Sequence, residues 1–190
     1  MTRQLIAESY IGANSPHLVL AKEGSEDVRN YLDNIVSDLA LCSKQYFAWR
    51  SGYITFSSLA FDLGTFYVEL YLSDSISLDP LCPLAIVLPF TKADEDVLTI
   101  GGLDTLPFSI PSGNYQILYE NRFLEREEWG NYEGVKKLLE VETGFDTPEN
   151  PHYESYPTLF HLTFIPTIDL EAPQILKDTH GLVKSSEMIW

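Results

Sequence analysis

The chain has 190 residues and a mass of 21.5 kDa, with 45% apolar and 21% charged residues; this fits one globular domain and excludes collagen-like, coiled-coil and wholly disordered chains. The charge is lopsided, since 28 Asp and Glu against 12 Lys and Arg give a formal net charge of −16. Such a field repels phosphate backbones and anionic membranes and attracts basic partners, so neither direct nucleic-acid binding nor membrane binding is expected; acidity that serves solubility alone is the plainer alternative.

Residues 1–8 lack the apolar run of a signal peptide, and the longest apolar stretch, residues 81–90, is about half a membrane span. A soluble cytoplasmic protein is expected. The two cysteines, Cys42 and Cys82, are too few for a disulfide-stapled secreted domain and read as buried free thiols. Neither sits in a CxxC pair, so the sequence offers no zinc or redox motif, and no cofactor or metal is assigned.

In chain order, residues 4–9 and 17–22 read as strands separated by the turn signal Asn14-Ser15-Pro16. Ser25 caps a helix whose first turn carries Glu26 and Asp27, where acids complement the helix dipole. Val28, Tyr31, Leu32, Ile35, Leu39 and Leu41 follow helical spacing, with Asp33, Asn34, Ser37 and Asp38 on the opposite face, and the helix is expected to end near residues 41–43. The pattern then changes to period two. Residues 46–50 and 53–56 are aromatic and β-branched around Ser51-Gly52. Residues 64–72 place Phe66, Val68, Leu70 and Leu72 on one face and Tyr67, Glu69 and Tyr71 on the other. Residues 84–90 read as a central strand, residues 97–100 as another, and residues 107–115 as a turn leading into a strand over 115–119.

Residues 121–157 differ in composition and read as an insertion with one short helix around Val135, Leu138 and Leu139. Residues 159–165 return to strand, and residues 178–190 are expected to form a mobile tail from which Met188-Ile189-Trp190 can dock. Short strands with turn signals between them, and no βαβ rhythm, predict a mainly β single domain over 1–190. The expected architecture is an antiparallel β-sandwich or partly open barrel with one helix in the N-terminal half.

No hydrolase elbow, P-loop or dinucleotide fingerprint is present. His152 and Glu154 stand two apart in a proline-rich loop, a weak hint of hydrolase chemistry that reads more simply as loop polarity. His161 reads as a sheet-face histidine with a local hydrogen bond. Asp94, Glu95 and Asp96 form an acidic loop to which Asp74 and Asp79 would be added in a Ca²⁺ site, although no EF-hand spacing is present. Glu125, Glu127 and Glu128 adjoin Trp129 and Tyr132. That set reads equally as a partner-binding edge, with charge for steering and rings for anchoring, or as a core tryptophan among solvated acids. Between residues 51 and 120 only Lys92 opposes nine acids. A partner with a basic groove would be drawn to loops of one sign, with an on-rate that falls as salt rises.

Several of these segments share a pattern. The run Gln45-Tyr46-Phe47-Ala48-Trp49-Arg50-Ser51-Gly52-Tyr53-Ile54-Thr55-Phe56 is followed by the strand over 66–72, by Ala85-Ile86-Val87-Leu88-Pro89-Phe90, and by Leu106-Pro107-Phe108-Ser109-Ile110-Pro111-Ser112-Gly113-Asn114-Tyr115-Gln116. Leu162-Thr163-Phe164-Ile165-Pro166 and Pro173-Gln174-Ile175-Leu176 come later. In that order they resemble the competence protein J family of nuclease inhibitors, over about residues 45–119 and 159–176. The longer N-terminal helix and residues 121–157 depart from the pattern. The resemblance implies a small non-enzymatic protein that binds and inhibits a nuclease. A nuclease holds phosphates in a basic groove, and carboxylates on an acidic protein can take their place. The expected partner-binding residues are therefore Asp94, Glu95, Asp96, Glu125, Glu127, Glu128, Trp129 and Tyr132.

Overall fold

Alternating apolar residues become eleven strands in the computed structural model, which describes residues 3–12, 16–59, 65–102, 104–136, 157–184 and 188–190. In chain order they are β1 (Arg3–Gly12), β2 (His17–Lys22), β3 (Phe47–Trp49), β4 (Tyr53–Ser57), β5 (Thr65–Ser73), β6 (Leu84–Lys92), β7 (Leu98–Gly101), β8 (Thr105–Phe108), β9 (Gly113–Phe123), β10 (Thr158–Thr167) and β11 (Gln174–Asp178). Helices α1 (Glu26–Arg29) and α2 (Tyr31–Gln45) lie between β2 and β3. The strands form two open sheets, one of six in the order β1-β5-β10-β9-β6-β11 and one of five in the order β3-β4-β2-β7-β8. The mainly β, sandwich-like expectation is met, and the described strands form no closed barrel.

The inner faces make one core. Phe66, Val68 and Leu70 of β5 meet Phe160, Leu162 and Phe164 of β10, and Leu18, Leu20, Ile54 and Phe56 of the second sheet close over them. Burying each such side chain contributes about 1.5–3 kcal/mol. The face assignment read for β5 holds, because Tyr67, Glu69 and Tyr71 lie on the outer face with His161 and Glu120 as cross-strand neighbours. One pairing departs from the antiparallel expectation: β10 runs parallel to β5, with Thr158 beside Phe66 and Phe164 beside Leu72. Residues 74–83 do not close a hairpin. They carry the chain back along the outer face to start β6 in the same direction as β5, as the registers through β10 and β9 require.

The helix begins as expected, with Ser25 Oγ accepting from the Val28 amide at 3.3 Å. The expected single helix is divided at Asn30 (φ −94°, ψ 11°) into α1 and α2, and α2 runs on past residues 41–43 to Gln45, where Tyr46 takes a left-handed conformation (φ 68°) and donates its N–H to the Cys42 carbonyl. Its buried face differs from the apolar spacing. Asp38, Cys42 and Gln45 are buried, whereas Leu32 and Val36 are exposed at 78% and 79%. The reason lies in the hairpin beneath it. Arg50 NH2 stands 2.7 Å from Asp38 Oδ1, and the Tyr53 hydroxyl donates to Asp38 Oδ2, so a buried carboxylate is satisfied where the sequence placed a solvent face.

The segment read as an insertion begins as sheet, since β9 continues to Phe123. A 3-10 turn over Arg126–Asn131 follows. Leu138 and Leu139 lie outside the described residues, as do His152 and Glu154. In the C-terminal segment, β11 pairs with β6, and the Ile189 amide donates to Gln45 Oε1 at 3.1 Å while Trp190 meets Trp49 edge to face. No described helix is long and apolar enough to cross a membrane.

Candidate functional site

The acidic loop over residues 94–96 joins β6 of one sheet to β7 of the other. It is built around Asp96, whose Oδ2 accepts the Ala93 amide at 2.8 Å and lies 3.7 Å from Lys22 Nζ. Lys92, the lone base of the stretch, is buried and donates to the Ala93 carbonyl. Asp94 and Glu95 are left exposed. The Glu23 amide donates to the Val97 carbonyl at 2.8 Å, which brings the start of the helical segment alongside this loop. Glu23 and Glu26 are exposed as well. The sequence reading assigned Glu26 to the helix dipole and gave Glu23 no role. The place of Glu23 beside this loop follows from the pairing of Lys22 with Leu98, a contact between distant segments, and Glu26 follows three residues on.

The second predicted set is held by a different device. Arg122, on the outer face of β9, grips Glu128 in a bidentate pair with both N···O distances at 2.7 Å. Glu128 also accepts the Glu125 amide, while Glu125 caps the turn in return. Trp129 is 1% exposed, donates its indole N–H to the Leu124 carbonyl at 2.8 Å, and packs with Tyr67, Val135 and Leu159. It is a core residue and offers no ring to a partner, so only the other reading of this set survives for it. Tyr132 is half-buried, edge-on to Tyr67 at 4.8 Å. Exposed acids remain at Glu125 and Glu127, beside the exposed Arg126 and Lys136.

The two sets do not meet. The loop at residues 94–96 follows the β6 end that pairs with Gly113, whereas Glu125 follows the opposite end of β9. The 11 residues of β9 put them roughly 30 Å apart. The end at Asp94 and Glu95 is mainly acidic, with Lys22 paired to Asp96 and Arg29 on the helix of Glu26, and the end at Glu125 is more evenly mixed. The Ca²⁺ arrangement is not assembled either. Asp79 lies on the outer face of the larger sheet, and among the described residues no metal-capable group includes Asp74, Asp94, Glu95 or Asp96.

The Arg122 pair holds the Glu128 carboxyl below its usual range of about 4.5, with burial opposing and the Glu125 amide assisting. A depressed carboxylate stabilises the fold fully above its ordinary pKa, and the stabilisation is lost as pH falls through the folded value. Acid unfolding is therefore expected to steepen below about pH 4.5 and to be shallower in Glu128→Gln. Urea melts of both proteins across that range check the expectation; equal slopes would contradict it.

The sequence model of the competence protein J (ComJ) family matches residues 41–165. No curated protein matches the chain. Among solved structures the chain is similar to ComJ of Bacillus subtilis, an inhibitor of the DNA-degrading activity of NucA, at 12% identity and a TM-score of 0.49, over 87% of this chain and 100% of that one. It is also similar to the product of crocagin biosynthetic gene J, at 12% identity and a TM-score of 0.48, over 87% of this chain and 99% of that one.

Proposed function

The chain belongs to the competence protein J family, and from that membership we propose that it is a non-enzymatic binding protein that inhibits a nuclease. The observation that carries the proposal is the family match over residues 41–165, since the B. subtilis protein that bears the family's name inhibits the DNA-degrading activity of NucA. The surface chemistry supports it. A net charge of −16 gives the protein a field that attracts a basic groove, and exposed carboxylates can occupy positions that would hold phosphates.

The contact surface we assign first is the end carrying Asp94, Glu95, Glu23 and Glu26, with Asp96 fixing the loop. Its loop is held by hydrogen bonds to Asp96 and Val97, and its exposed side chains are mainly acidic. The turn with Glu125, Glu127, Glu128 and Tyr132 is the second surface. A protein that works in this way acts where its nuclease partner is, and a cytoplasmic site is part of the proposal.

Inhibition is expected to weaken as salt rises, because exposed charges are screened within about 8 Å at physiological ionic strength. DNA cleavage by the partner nuclease, measured with and without the protein across a salt series, tests this. Inhibition that strengthens with salt would place the contact on apolar surface instead.

A further inference from the structure

On the outer face of the larger sheet, far from both acidic ends in sequence, three side chains of different chemistry converge. The connection over residues 74–83 lays Asp79 and Cys82 against β10, where His161 stands. Cys82 Sγ lies 3.6 Å from Asp79 Oδ2, and His161 Nδ1 lies 3.8 Å from the same oxygen. The three ligand atoms are all within 4.8 Å of one another. Around a tetrahedral ion with metal–oxygen and metal–nitrogen bonds near 2.1 Å and metal–sulfur near 2.3 Å, ligand atoms stand about 3.3–3.6 Å apart. We propose that Asp79, Cys82 and His161 form a zinc site.

Three independent features of the surroundings point the same way. First, His161 is 7% exposed, and Nδ1 has no hydrogen-bond partner among the described residues. A proton on it would face Asp79 Oδ2 from 3.8 Å, beyond hydrogen-bond reach, whereas a bare lone pair there faces a carboxylate. A cation between them resolves both. Second, the other ring nitrogen stands 2.8 Å from Glu69 Oε2, obliquely, and Tyr71 donates to that same oxygen at 2.7 Å. A carboxylate behind a histidine is the usual support of a metal-binding imidazole. Third, carboxylates outnumber cations on this layer, where Glu69, Asp79, Glu120 and Glu128 share Arg122 and Arg3, the latter 3.8 Å over the Tyr71 ring. Glu120, directly across the strand pair from His161, is fully buried, and its Oε2 has no partner among the described residues. Arg122 Nε approaches Asp79 Oδ2 at 3.7 Å, but its two terminal nitrogens are committed to Glu128.

The ligand set selects the ion. Calcium and magnesium take oxygen ligands, whereas a thiolate with an imidazole and a carboxylate suits zinc. One thiolate, one carboxylate and one neutral imidazole around a dication make an uncharged unit, which is the least costly to bury. Cys82 must lose its proton on binding; without a metal, burial and then Asp79 hold the thiol protonated. A cavity of about 630 Å³, lined by Pro80, Leu81, Cys82 and Arg122 among others, adjoins the Cys82 side of the site.

The test uses the full chain stripped with a chelator and titrated with Co²⁺ as the probe. The expected result is one equivalent bound with intense tetrahedral visible bands and a near-ultraviolet thiolate charge-transfer band, all displaced by Zn²⁺, and a melting midpoint raised by Zn²⁺. The chain has two cysteines, so Cys42→Ser is expected to keep the charge-transfer band and Cys82→Ser to lose it. Retention in Cys42→Ser assigns the ligand even where Cys82→Ser does not fold. Glu69→Gln is expected to weaken zinc binding about 10- to 100-fold. A weak oxygen-only cobalt spectrum, a charge-transfer band lost in Cys42→Ser, or a midpoint unmoved by zinc would overturn the site.

Discussion

Replacing Arg122 by alanine is expected to destabilise the fold by about 3–5 kcal/mol, the scale measured when one partner of a buried ion pair is removed. Its side chain is only 9% exposed and holds Glu128 in two 2.7 Å contacts, with Asp79 at 3.7 Å. Alanine leaves those carboxylates without their cation in a layer that already contains the buried Glu120. In a chain of this size the midpoint should fall by about 6–20 °C. The double change Arg122→Met with Glu128→Leu is expected to recover part of the loss, because it removes one unpaired charge together with its former partner. Denaturant melts of parent, single and double variants give the comparison. A loss below about 1 kcal/mol in the single variant would mean that water reaches the pair and that the layer is not closed.

The second large effect is on inhibition. Asp94→Lys, Glu95→Lys and Glu23→Lys together reverse the charge of the mainly acidic end of the sandwich and are expected to reduce nuclease inhibition at low salt at least about tenfold, mostly through the association rate. Glu125→Lys with Glu127→Lys should cost much less, because that end already carries Arg126 and Lys136. Both sets are exposed, so neither change should move the melting midpoint far. Association kinetics measured on the two variants separate the surfaces. A large loss from the Glu125 pair with none from the Asp94 set would transfer the contact to the 3-10 turn.

Period-two alternation made most of the sandwich legible, because a half-buried strand cannot hide its faces. The split of Phe66, Val68 and Leu70 from Tyr67, Glu69 and Tyr71 appears in the structure as read. What the sequence concealed depends on distant partners. The solvent face assigned to Asp38 failed because Arg50 and Tyr53 reach it from the next hairpin. The parallel partnership of β5 and β10 joins segments about ninety residues apart, and no local pattern marks it. The strand read as residues 115–119 extends over Gly113–Phe123, and that added length separates two acidic loops the sequence treated as one surface. Asp79, Cys82 and His161, each read separately in the sequence, are joined only by the fold, for the same reason. Asp79 and Cys82 are three residues apart with no further cysteine or histidine nearby, and the third ligand arrives on a strand that only the fold brings alongside.

We propose that this protein occupies a nuclease and does no chemistry of its own. The most direct measurement is DNA degradation by the purified partner nuclease at fixed concentration and low salt, titrated with the full-length protein. Cleavage is expected to fall to zero at a fixed stoichiometry, a complex of the same stoichiometry is expected on size-exclusion chromatography, and the protein alone is expected to leave DNA intact. Undiminished cleavage at a tenfold excess, with no complex formed, would contradict it.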